Sequence, residues 1–170
     1  MILDMLGYYL LLLPVIFLLH DWIKTKSAWN QLITFDGIDY VLVGAIGVSI
    51  LTIVWPYIIT AYPGAAPALQ EILKANFQFV NDMVYGGMWN LLEMLFAGTW
   101  WLWVCVLLYQ NKFSFMGILT IVTGVFCFAD GAAGIFQVAW LHELALNIYL
   151  LLAIIWAIIT GIFLLKRPLK

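Results

Sequence analysis

Phe115–Gln137 reads FMGILTIVTGVFCFADGAAGIFQ, and this stretch decides the fold. A helix crosses a bilayer core with about 20 apolar residues, and this run is long enough. One charged side chain, Asp130, interrupts it. Along the run, Gly117, Thr120, Gly124, Cys127, Gly131 and Gly134 follow one another at alternating intervals of three and four. Lipid gives apolar side chains no reason to leave it, so membrane helices associate where small residues let backbones approach and where polar groups bond across. The spacing therefore predicts a central helix whose six small residues form a packing seam.

Working outward, four more apolar runs stand out: Met5–Leu19, Tyr40–Tyr62, Tyr85–Tyr109 and Leu144–Leu165. The first is short and carries Pro14; no Lys or Arg precedes it and no small-x-small site follows it, so it reads as a retained span and not as a signal peptide. The expected fold is all-α: one transmembrane domain over 1–170, a bundle of five membrane-spanning helices with one or two interfacial amphipathic helices. The first of those is 68–84, where Leu69, Ile72, Leu73, Phe77, Val80, Met83 and Val84 recur at helical spacing and Pro67 suits the first turn. The second is the less regular 21–40, with Trp22, Trp29, Leu32 and Ile33. Tyrosines at span ends, with Trp22, Trp29, Trp89 and Trp140, read as aromatic belts at headgroup depth.

Composition agrees. Of 170 residues 9% are charged and 66% hydrophobic, with a net charge of −2, whereas a soluble domain is about 25% charged. A soluble globule is excluded, and so is nucleic-acid binding through a basic face. Lys24, Lys26, Lys112, Lys166, Arg167 and Lys170 fall on one side of the five spans and Lys74 on the other. Positive residues near span ends stay inside, so the N-terminus is expected outside and the C-terminus in the cytoplasm. Small residues also occur in the second span (Gly44, Ala45, Gly47, Ser49) and the fifth (Ala153, Ala157, Thr160, Gly161). Cys105 and Cys127 lie at depths about 12 Å apart at 1.5 Å per residue, too far for a disulfide.

The polar residues gather in the outer half. Glu93 and Asp130 each lie about 8 Å inside the outer edge of the core, on adjacent spans. Asn90 precedes Glu93 by three residues, Gln137 follows Asp130 by seven, and His142, Glu143 and Asn147 open the last span. Ionisable groups at such depth face a bundle interior or a cavity and are candidate sites. Two acids at one dry level cannot both stay ionised cheaply, so one is expected to carry a proton, or a cation to sit between them. The alternatives are interhelical glue and a metal held by Glu93, Asp130 and His142, for which no second histidine exists in reach. Neither a metal nor a cofactor is called for, and no nucleophile-base set or nucleotide loop is visible.

From about Asn90 to Arg167 the chain resembles small bacterial multi-pass membrane proteins that carry a domain of unknown function. The likeness rests on Tyr109-Gln110-Asn111-Lys112, on Met116-Gly117-Ile118-Leu119-Thr120-Ile121-Val122-Thr123-Gly124, and on the closing Lys166-Arg167. It implies a bacterial plasma-membrane location and no residue roles. The function expected is that of a non-enzymatic partner subunit or small-ligand-binding module, whose partners are the bilayer and a second membrane protein or another copy of the chain. Two other classes compete: a small proton- or cation-coupled transporter or channel using Glu93 and Asp130, and an intramembrane enzyme using Asp130, His142 and Glu143.

Overall fold

The structure is a computed structural model that describes residues 2–23 and 28–165. Lipid supplies no hydrogen bonds, so a spanning backbone must satisfy itself internally, and the described residues are helical apart from short turns, with no strand among them. The elements are α1 (Ile2–Ile23), α2 (Asn30–Ala61), a single 3₁₀ turn (Tyr62–Gly64), α3 (Pro67–Asn81), a π-helical segment (Asp82–Glu93), α4 (Met94–Gln110), α5 (Ser114–Ile135) and α6 (Ala139–Leu165). Because α3, the π segment and α4 form one unbroken rod, the described residues make five rods. Four are long and apolar enough to cross a membrane, and the apolar part of α1, Gly7–Trp22, is shorter.

The rods close into a ring. α1 packs on α2, α2 on α4 and the π segment, α4 on α5, α5 on α6, and α6 returns to α1. Each rod turns one stripe inward: Tyr9, Leu12, Ile16 and Leu19 from α1, Ile33, Tyr40, Val41 and Val48 from α2, and Trp100, Trp101 and Val104 from α4. The opposite faces stay apolar and exposed, as lipid requires; Leu11 and Ile53 are each 74% exposed. Pro14 sits inside α1 without ending it.

Small residues set the approach distances. A Cβ on Gly124 would stand 2.8 Å from the Trp101 Cβ, one on Gly131 would strike Met94, and one on Gly134 would come within 2.6 Å of the Asn90 amide nitrogen. Gly117 lies against the backbone of Cys105 and Tyr109. Thr120 and Cys127 continue this buried face, so α5 carries its seam between α4 and α6. Trp100, Trp101 and Trp156 meet edge to face at centroid distances of 4.7–5.6 Å and fill the lower core. Trp156 Nε1 donates to Thr120 Oγ1 at 2.7 Å.

Three expectations need correction. Residues 30–40 are not an interfacial helix; they are the first turns of α2, held because Asn30 and Thr34 bond to His20 of α1 and Gly37 packs on Trp100. Pro67 does open α3, but the amphipathic helix runs on into α4, so the interfacial element and the span are one rod. Trp89 is no belt residue: its indole nitrogen is buried and lies against Gly47. Of the residues behind the expected orientation, Lys24, Lys26, Lys166, Arg167 and Lys170 lie outside the described residues.

Candidate functional site

The site begins where the π segment ends. A π turn bonds each N–H to the carbonyl five residues back and so widens the helix; the Met94 N–H reaches both Trp89 O and Leu91 O. Gly86 and Gly87, adjacent and free of packing neighbours, sit in the same segment. Glu93 is its last residue and is buried, 9% exposed.

Glu93 points at α1. The Tyr9 hydroxyl donates to both carboxyl oxygens, each at 2.9 Å. Tyr9 reaches this position because Gly44 of α2 leaves room for its ring. Edge-to-face contacts place Tyr8 and Tyr40 beside it, at centroid distances of 5.3 and 6.0 Å. The hydroxyls of Tyr8 and Tyr40 are 3.0 Å apart, and Tyr40 meets the Tyr149 hydroxyl of α6 at 2.7 Å. Cys127 of α5 lies against Tyr149. Every rod of the ring thus contributes to one buried polar core.

Asp130 belongs to a second, outer pair. His142 Nδ1 stands 2.7 Å from Asp130 Oδ1 and 3.4 Å from the Asp130 backbone oxygen. The short contact is poorly aligned for a hydrogen bond, so it works through charge proximity when the ring is protonated. The side chains are 32% and 15% exposed, which puts the pair at the rim of the bundle.

Glu93 and Asp130 share a level, since Met94 sits on Gly131, and each lies within electrostatic reach of the other. Their bonded partners differ: the Glu93 carboxyl takes the Tyr9 hydroxyl of α1, and Asp130 faces His142 of α6. Asn90, three residues before Glu93, packs on Gly134 of α5. Gln137 is exposed and occupies the α5–α6 turn with φ 56°. Glu143 and Asn147 share a face as expected, but that face is exposed, and the Asn147 amide bonds the Glu143 carbonyl at 2.7 Å. No three His, Cys, Asp or Glu side chains among the described residues gather as a metal site. Cys105 and Cys127 are free and buried.

Sequence reasoning missed Tyr8, Tyr9, Tyr40 and Tyr149. The available signal was the adjacent Tyr8–Tyr9 pair inside an apolar run. No protein-family model, curated protein or solved structure matches the chain.

Proposed function

We propose that this chain is a non-enzymatic protein of the bacterial plasma membrane, N-terminus outside and C-terminus cytoplasmic, acting as a partner subunit or binding module whose buried core takes up a proton or a small cation. The Tyr9–Glu93 contact carries this reading: a carboxyl in a membrane bundle, bonded to the Tyr9 hydroxyl and set beside the linked hydroxyls of Tyr8, Tyr40 and Tyr149, is costly to keep for packing alone. The Asp130–His142 pair at the rim is the natural entry for a charged species. Below the network, Trp100, Trp101 and Trp156 pack edge to face and fill the core with large rings, which supports a module that binds on one side over a through-path.

The test is infrared titration of the purified chain in lipid nanodiscs. A carboxyl stretch that responds to pH in the wild type, vanishes in Glu93→Gln and shifts in Tyr9→Phe supports the proposal. A spectrum unchanged by Glu93→Gln overturns it.

One observation favours transport as a second reading: the Tyr8–Tyr40–Tyr149 hydroxyl chain is continuous enough to pass a proton. Proton flux in vesicles that is abolished by Glu93→Gln with Asp130→Asn would establish it, and flux indistinguishable from empty vesicles would remove it.

A further inference from the structure

A second feature lies outside the ring. The last turns of α2 and the amphipathic α3 form a hairpin, held where Trp55 Nε1 bonds Asn81 at 2.8 Å and Trp55 packs on Phe77 at 6.0 Å between centroids. Between the two arms is an open-sided cavity of about 540 Å³, lined by Ile58, Ile59, Tyr62, Pro63, Phe77 and Lys74. Its size falls within the range of small-molecule sites, about 300–1,000 Å³.

Two properties identify an occupant. The walls are hydrocarbon and aromatic, and the one charge is the Lys74 ammonium, which makes no ion pair among the described residues. The cavity also sits where the long apolar run of α2 gives way to the Tyr62-Pro63-Gly64 turn and to a helix with a polar face. At such a junction a lysine lays its stem on apolar surface and keeps its amine toward the polar layer.

The geometry points to a binding site for an anionic phospholipid of the surrounding bilayer, with an acyl chain against Ile58, Ile59 and Phe77 and the headgroup phosphate on Lys74. The site rests on the membrane-spanning fold and not on the Glu93 network, so Glu93→Gln leaves it intact.

The experiment is native mass spectrometry of the full chain from detergent with equimolar phosphatidylglycerol and phosphatidylcholine, alongside photo-cross-linking with a diazirine-bearing phosphatidylglycerol. A single lysine near the surface corresponds to about a fivefold preference for the anionic lipid. That preference is expected in the wild type and in Lys74→Arg, is lost in Lys74→Gln, and is accompanied by cross-links in 58–63 and 74–77. Equal retention of both lipids, a preference that survives Lys74→Gln, or cross-links confined to other segments would overturn the assignment. Retention of oleate without phosphatidylglycerol, in a parallel arm, would overturn the phospholipid as occupant.

Discussion

The Tyr9 hydroxyl and the Glu93 carboxyl, 84 positions apart in the chain, meet at 2.9 Å inside the ring and tie the first helix to the widened end of the third rod. Removing one partner of a buried hydrogen bond to an ionisable group strands the other. Tyr9→Phe is therefore expected to cost about 1–3 kcal/mol. Combined with Glu93→Leu it should cost less than the sum of the single changes, because no orphaned group is left. A double-mutant cycle of unfolding in detergent measures this, and an additive cycle would show that the contact contributes nothing.

Gly44 is the floor on which Tyr9 rests. A Cβ there would overlap the Tyr9 ring, a rigid group with no alternative space. Gly44→Ala is expected to destabilise by about 1–3 kcal/mol, the usual cost of overpacking, and to disturb the same infrared signal as Tyr9→Phe. Gly161 of α6 meets nothing within 4 Å. There Gly161→Ala should stabilise by about 0.5–1 kcal/mol through helix propensity. Equal effects at the two glycines would contradict the packing described.

Thr120 accepts the Trp156 indole N–H at 2.7 Å and donates its own hydroxyl to Met116 O. Thr120→Val keeps the shape and removes the acceptor. The expected loss is about 1–3 kcal/mol, the desolvation cost of the stranded N–H. Thr120→Ser keeps the bond and should lose less, which thermal melts followed by tryptophan fluorescence would resolve.

Gln137 holds φ 56° in the turn after α5, where the Val138 N–H bonds Ala133 O at 2.9 Å. A left-handed residue just past a helix end is a position glycine fills without strain. Gln137→Gly is expected to raise stability by about 1 kcal/mol, given the cost of the left-handed region for residues with a Cβ. An unchanged melting temperature would argue against this turn.

Much of the architecture was written in local patterns. Apolar run lengths gave the rods, and the three-four spacing from Gly117 to Gly134 gave the inward face of α5, because both are read over a few turns of one helix. The core network was not legible in that way. Tyr40 and Tyr149 stand at or near span ends in the sequence, where tyrosine ordinarily marks headgroup depth, yet Tyr40 is fully buried because α2 begins ten residues before it. The partner of Glu93 was likewise hidden. π turns depend on which carbonyl each N–H selects, and residue spacing assumes the narrower helix.

The ring is closed where α6 packs on α1. Synthesis runs from the amino end, so the hydroxyl of Tyr40 waits without Tyr149 until α6 emerges. Arrival of α6 thus seals the interior, and a bundle lacking it would leave the Tyr40 hydroxyl and the Cys127 thiol facing lipid.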